Sequence, residues 1–572
     1  MSRSAEAYYD SLAQSTPPTP SEPVTFESIG IRRPIVKALA AAFPNVQSPT
    51  PMQQRFIPAL LSGKDVLLKD ETGSGKSFGL VLALLNKERQ RAVRTRSGAL
   101  KPQITSLVIV PHRDLAYQFM HWIERIVNSP TVQAPPSLAS LAQVVVRDGG
   151  SHLKQLPILQ QEPPHILIGT PQALLDIHNE QPDALSLTSL STVVVDEVDY
   201  LVDSMPIKDK NKTHFKSFLK AKRKLERHPS ATKQLLDIIY ARRKQLAEQE
   251  NYEGSKAFHQ RRYSPPSPQL VMSSATLRRH LDLFLFRQSG WLQKDNLAKC
   301  KIPFRKRSQN ALPSPEATEG EIDGLGGSGI LHSALVVTLS GRIKNIEGAI
   351  AIERKAVASG DEAITPENIF GGETNSEDVD IVNEANTEPV EVVDTDAKTR
   401  PPFNPTALEA IATAFALDVP SVALLVLPAS APVQRVVEEL RAIGVNAQGL
   451  DLLAADKGRA HLLRGGDTVE AEPTLLVSTL ATTRGLDLPH LTHVFILGIP
   501  EGPKMTGRTI DAYLHIAGRV GRFGRGGRVV SVVESTRDED DDDAVVPVDE
   551  AAKMVRIFRE AGVRPVIFEH FD

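Results

Sequence analysis

Residues 70–77, DETGSGKS, lie between two apolar runs, DVLLK and FGLVLALL. A strand, a Gly-rich turn and a helix in that order make a cradle for phosphate. A turn built on Thr72, Gly73, Ser74 and Gly75 leaves backbone N–H groups free at a helix N-terminus, where they bind anions. In the pattern G-x-x-x-x-G-K-[ST], Lys76 brings a point charge to the β- and γ-phosphates and the Ser77 hydroxyl is a ligand for Mg²⁺. Asp70 stands where that pattern has Gly, so a chance Gly-rich turn is the competing reading.

Two further groups could act on a bound triphosphate. In TVVVDEVDYL, Asp196 and Glu197 end a run of three valines. One carboxylate there can carry the water shell of the Mg²⁺ held by Ser77, while its neighbour orients an attacking water. Paired acids after a buried strand also occur without any such role. In HIAGRVGRFGRGGR, residues 515–528, Arg519 and Arg522 are three apart and share one face of a helix. Two guanidiniums so placed can clamp a γ-phosphate. A basic Gly-rich loop on RNA phosphates is the alternative, and it suits Arg525 and Arg528.

These groups need a scaffold that ends several strands at one edge. From Phe26 to about Pro206, short Val-, Ile- and Leu-rich runs (DVLLK, SLVIV, HILIG, TVVVD) alternate with helical patterns such as RDLAYQFMHWIERIV, and QLVMSSAT continues the series. Buried strands alternating with helices indicate a parallel, doubly wound α/β sheet. The alternation resumes with VALLVLPAS, QRVVEELRAIG, TLLVST, HVFILG and RVVSVVE, a second α/β unit. The expected organisation is an N-terminal disordered tail over 1–25, a first domain over 26–300, a linker with one strand over 301–404, a second domain over 405–536, and an acidic patch with a C-terminal extension over 537–572. Two stretches interrupt it. Residues 206–265 hold sixteen Lys and Arg against six Asp and Glu, either a solvated helical excursion or a nucleic-acid arm. The segment GGETNSEDVDIVNEANTEPVEVVDTD is acidic and poor in aromatics, the composition of a disordered linker.

Composition narrows the class. The chain of 572 residues carries a net charge of −3, so a nucleic-acid surface must be a local patch. The single cysteine, Cys300, excludes an intramolecular disulfide framework and a Cys-based zinc site. No run of about 18 apolar residues predicts a membrane span.

In order along the chain, the motifs resemble those of the DEAD-box RNA helicases of superfamily 2, which implies two tandem RecA-like domains. SPTPMQ resembles the adenine-reading Q motif, which implies Gln53 on the base and Phe26 stacked on it. DETGSGKS is the phosphate loop of that family, whose first position is usually Ala. PHRDLAYQ, the glycines Gly149 and Gly150, and GTPQ match the RNA-backbone motifs of the first domain, which implies RNA contacts for Arg113, Thr170 and Pro171. DEVD at 196–199 takes the place of the name-giving motif. SAT implies a coupling role for Ser274 and Thr276. TRGLDLP implies Asp487 on the ribose and Arg484 and Gly485 on RNA, and HIAGRVGR implies catalytic roles for His515, Arg519 and Arg522.

The departures fall on RNA contacts and domain coupling: His112 for Thr, TPQA for TPGR, Leu480 for Asp and Ile516 for Arg. ATP with Mg²⁺ and RNA are the implied ligands, and ATP hydrolysis is safer ground than efficient unwinding. An ATP-gated RNA clamp with little unwinding is the alternative. The divergent motifs and the basic insert further resemble fungal mitochondrial helicases of large ribosomal subunit assembly. That narrower likeness implies rRNA and ribosome assembly factors as partners, a monomer, and the mitochondrial matrix, with cytoplasm or nucleolus as the alternative.

Overall fold

The structure, a computed structural model, describes residues 24–70, 73–94, 100–132, 134–147, 155–203, 223, 226–253, 267–277, 279–301, 330–338, 340–351, 403–429, 431–450, 473–483, 488, 491–500, 507–520, 526–535 and 549–571. The tail over 1–23, most of the basic insert, the acidic segment and the acidic patch lie outside these residues, as do Thr72, Gly149, Gly150, Arg484, Gly485, Asp487 and Arg522.

Two sheets organise the chain, as the alternating pattern predicts. In the first half the strands are β1 (Asp65–Lys69), β2 (Val93–Arg94), β3 (Leu100–Lys101), β4 (Ser106–Ile109), β5 (Ala142–Val145), β6 (Ile166–Gly169), β7 (Thr192–Val195), β8 (Gln269–Ser274) and β9 (Leu297–Lys301). All but the β2–β3 pair form a parallel sheet in the order β5-β6-β4-β7-β8-β1-β9. Strands buried on both faces need apolar residues at every position, and β4, β6 and β7 are buried throughout. Two apolar clusters cover the faces. One is centred on Phe56, Phe119 and Trp122, the other on Leu174, Leu235, Tyr240 and Trp291.

The order places β8 between β7 and β1, so the chain segments after β1, β7 and β8 emerge side by side at the C-terminal edge. The phosphate loop, the Asp196–Glu197 pair and the SAT residues therefore meet. In open α/β sheets that edge is where ligands bind.

The second sheet holds β10 (Ile330–Val337), β11 (Ile343–Asn345), β12 (Val422–Leu427), β13 (Ala447–Gly449), β14 (Thr474–Thr479), β15 (Leu491–Leu497) and β16 (Gly527–Glu534), in the order β11-β10-β16-β15-β12-β14-β13. Only β10–β11 is antiparallel.

Two expected boundaries are corrected here. The strand assigned to the 301–404 linker, β10, pairs along its whole length with β16 and belongs to the second domain. The helix Glu550–Ala561, assigned to an extension beyond that domain, buries Met554, Ile557 and Phe558 in its core. Both bury apolar side chains in the second domain's core.

The described part of the basic insert is also part of a domain. Helix Ala231–Ile239 buries Leu235 and Leu236, and Tyr240 at its end is fully buried. Arg243, on the next helix, pairs with the buried Asp65 of β1 at 2.6 Å. Neither a solvated excursion nor an RNA arm describes residues 231–243. No helix among the described residues is long and apolar enough to cross a membrane.

Candidate active site between the two domains

The phosphate loop is held from below by the segment just upstream. Thr50 caps helix Pro51–Leu61 in a reciprocal capping box with Gln53, and the same two side chains grip the loop. Thr50 Oγ1 donates to the Ser74 carbonyl at 2.8 Å, and Gln53 Nε2 donates to the Gly75 carbonyl at 2.9 Å. Gly75 has φ 81°, a conformation that favours glycine, and a Cβ there would sit 2.7 Å from Gln53 Nε2. The cradle is thus built for glycine and fixed by a glutamine.

The two residues expected at the base make contacts inside the first domain. The Gln53 carboxamide is engaged at both ends, its oxygen accepting from Thr50 N at 3.0 Å. Phe26 is 2% exposed and packs into the first domain's core.

Lys76 opens helix Lys76–Asn86. Its Nζ donates to the Asp70 carbonyl at 2.7 Å. Burial pulls its pKa down, opposed by the negative charges of Glu197, Asp70 and Asp196 and reinforced by the nearby Arg519. Asp70 itself has one buried carboxylate oxygen, Oδ2, without a hydrogen-bond partner. Three carboxylates therefore surround one ammonium, which suits a site whose ligand arrives with a cation.

The donor set for that cation is present. Ser77 Oγ donates to Asp196 Oδ2 at 2.7 Å, so a hydroxyl and a carboxylate oxygen face each other across the cleft. Hard oxygen donors of this kind suit Mg²⁺. On the other side, Asp196 Oδ1 accepts from Ser273 Oγ and from Glu197 N. Burial, and then the neighbouring Glu197 charge, push the Asp196 carboxyl up to about 6, against the Ser273 and Ser77 hydroxyls. Below that pH Asp196 gains a proton and loses its hold on a cation. Mg²⁺-dependent nucleotide binding is therefore expected to be full above pH 7 and to fall as pH drops through about 6, measured by titrating Mg²⁺ from pH 5 to 8.

Glu197 sits in the left-handed region, with φ 57°, at the turn from β7 into the short helix Val198–Leu201. For a residue with a Cβ this costs on the order of 1–3 kcal/mol. It keeps the Glu197 side chain beside Asp196, and Glu197 Oε2 is buried without a hydrogen-bond partner.

The second domain completes the site. His515, 1% exposed, places Nδ1 3.8 Å from Glu197 Oε2 and Nε2 3.4 Å from Asp199 Oδ2. Arg519, four residues on, is 2% exposed, and its Nε donates to the His515 carbonyl at 2.9 Å. Asp199 also accepts from Thr276 Oγ1 at 2.5 Å. Burial works to raise the Asp199 carboxyl. The hydrogen bond and charge of His515, with the Thr276 and Ser274 hydroxyls, overcome it and hold the group below the usual carboxylate range.

Of the expected site residues, Gln53, Gly73, Ser74, Gly75, Lys76, Ser77, Asp196, Glu197, Ser274, Thr276, His515 and Arg519 are brought to this cleft. The expected RNA contacts stand along the same C-terminal edge. Arg113 starts the helix after β4, and Thr170 immediately precedes the helix after β6. Pro171 is buried. His112 takes over a capping role, its Nδ1 accepting from Leu115 N at 3.3 Å.

Residues not singled out from sequence are Thr50, whose T-x-x-Q spacing is a readable capping box, and Ser273, next to the SAT triplet. Asp199 is legible in the sequence only as part of its motif, and its contact with His515 depends on how the domains meet.

Comparison with known proteins agrees with this geometry. The profile described as DEAD/DEAH box helicase matches residues 50–284, and that described as helicase conserved C-terminal domain matches 429–524, together more than half of the chain. The chain is 32% identical over 188 residues to the ATP-dependent rRNA helicase rrp3 of Aspergillus terreus, covering 33% of this chain and 37% of that protein. It is 29% identical over 200 residues to the ATP-dependent RNA helicase DHH1 of Cryptococcus neoformans, covering 35% and 28%. The matched stretches thus span about a third of these relatives' length. In fold, the chain is similar to S. cerevisiae Dbp5 bound to RNA and ADP BeF3, with TM-score 0.52, 14% identity, and 94% and 93% of the two chains covered.

Proposed function

We propose, for a chain that belongs to the DEAD/DEAH box helicase family, that it hydrolyses ATP between its two domains to remodel structured RNA. The observation that carries this reading is the meeting of Lys76, Ser77, Asp196 and Glu197 from one domain with His515 and Arg519 from the other. Lys76 meets the terminal phosphates, and Arg519 stabilises the charge that builds there. Mg²⁺, when bound by Ser77 and Asp196, neutralises phosphate oxygens. Glu197 Oε2 orients the attacking water and takes its proton. His515, set against Glu197 and Asp199, ties the state of these carboxylates to the position of the second domain.

RNA lies along the C-terminal edge past Arg113 and Thr170, gripped by its backbone. Within the family we assign the target to rRNA, and to the mitochondrial large subunit, on the divergent second and sixth motifs and the basic insert. RNA-stimulated ATPase activity, with strand displacement on matched RNA and DNA duplexes, tests the reading. Stimulation by RNA and displacement of short RNA duplexes are expected, and hydrolysis indifferent to RNA would sink it.

One observation favours the clamp reading over efficient unwinding. Ile516 and Leu480, at positions where the family carries Arg and Asp, are 2% and 5% exposed in the second domain's core. Apolar and buried there, they offer RNA neither a charge nor a hydrogen bond. RNA-stimulated hydrolysis without displacement is the result that selects the clamp.

The insert needs a narrower test than its full removal. Residues 206–228 hold nine Lys and Arg against two acids, whereas residues 231–243 are structural. Deleting 206–222 is expected to weaken RNA binding and flatten its salt dependence, by about 0.7 in log–log slope for each single-strand phosphate the segment neutralises. An unchanged slope removes this segment from the RNA path.

A further inference from the structure

We propose that Ser273 is a positioning residue for the metal-holding carboxylate, Asp196, and that its hydroxyl sets how much Mg²⁺ the cleft requires. The inference rests on the ATP reading above and deepens it. The register of the first sheet places this contact. Parallel strands β7 and β8 pair Val195 with Met272, so the next residues along, Asp196 and Ser273, lie opposite each other at the strand ends. Ser273 is fully buried, and its Oγ donates to Asp196 Oδ1.

Successive residues of a strand point to opposite faces, and the two serines of SSAT accordingly serve different carboxylates. Ser273 holds Asp196. Ser274 and Thr276 support Asp199, which faces His515 of the second domain. One strand end thus fixes the metal carboxylate and, one residue later, the carboxylate that meets the other domain.

Removing the Ser273 hydroxyl leaves Asp196 Oδ1 with the Glu197 N–H at 3.2 Å. The carboxylate then turns more freely, so Oδ2 is no longer held facing Ser77. Partners that orient metal-binding carboxylates are worth roughly 10–100-fold in affinity when removed.

The test is an Mg²⁺ titration of fluorescent ATP-analogue binding on the full chain at one pH, for wild type, Ser273→Ala and Ser273→Thr. In Ser273→Ala, half-saturating Mg²⁺ is expected to rise roughly tenfold. Binding without Mg²⁺ should stay at the wild-type level. Ser273→Thr, which keeps the hydroxyl, should restore the wild-type Mg²⁺ requirement. A Ser273→Ala protein with the wild-type Mg²⁺ requirement overturns the proposal. Equal loss of binding with and without Mg²⁺ also overturns it, because the serine then serves only packing. A wild type whose nucleotide binding ignores Mg²⁺ sinks instead the ATP reading on which the proposal rests.

Discussion

Glu197→Gln is expected to lower RNA-stimulated ATP hydrolysis by roughly 10²–10⁴-fold, the usual worth of a positioned general base, while nucleotide binding persists. The amide keeps the volume and the left-handed backbone of Glu197, so the loss falls on the charge. Glu197 Oε2 is buried without a hydrogen-bond partner, as a group held ready for a water must be. A second effect has the opposite sense. The Glu197 charge is one of the two causes that raise Asp196 to about 6. Without it Asp196 ionises more readily, so Mg²⁺-dependent binding should survive to lower pH in the mutant than in wild type. Single-turnover hydrolysis and an Mg²⁺ titration across pH check both halves. Hydrolysis within twofold of wild type would remove Glu197 from the reaction, and an unmoved acid limb would show that the two carboxylates do not share their charge.

The parts of this site that sequence discloses are those tied to local patterns. Lys76, Ser77, Asp196 and Glu197 each follow a short apolar strand, and their roles follow from that position together with their chemistry. The two-sheet α/β plan is equally local, written in runs such as SLVIV and TLLVST. What sequence hides depends on partners far along the chain. Strand β10 reads as part of a linker because its neighbour, β16, lies beyond the acidic segment and most of the second domain. The residues Phe26 and Gln53 lie in or near a motif whose likeness implies base contacts. Their burial and the Gln53 bond to Gly75 are set by how the helix Pro51–Leu61 packs. Lone acids and serines have no period, so the Ser273–Asp196 contact appears only once parallel register is known.

The basic insert is the sharpest case, and it carries the other large expected effect. Charge counting reads residues 206–265 as one block, yet Arg243 is a core residue. Its guanidinium donates to Asp65 Oδ2 at 2.6 Å, to the Trp291 carbonyl at 2.7 Å and to the Pro268 carbonyl at 2.7 Å, and stacks 4.8 Å from the Tyr240 ring. Asp65, 1% exposed, also accepts from Leu270 N and Gln293 N, each at 2.8 Å. One ion pair therefore ties the starts of β1 and β8 to the turn before β9. Removing one partner of a buried pair leaves the other charge uncompensated, at a cost of about 3–5 kcal/mol.

Arg243→Met should destabilise the first domain by that amount. Arg242→Ala, at an exposed neighbour on the same helix, should stay within about 0.5 kcal/mol. Both tryptophans, Trp122 and Trp291, belong to the first domain, so denaturation followed by their fluorescence reports on it alone. If the insert worked here as an RNA arm, the two variants would lose RNA affinity alike and keep wild-type stability. A stability loss confined to Arg243→Met shows that this stretch of positive charge belongs to the fold.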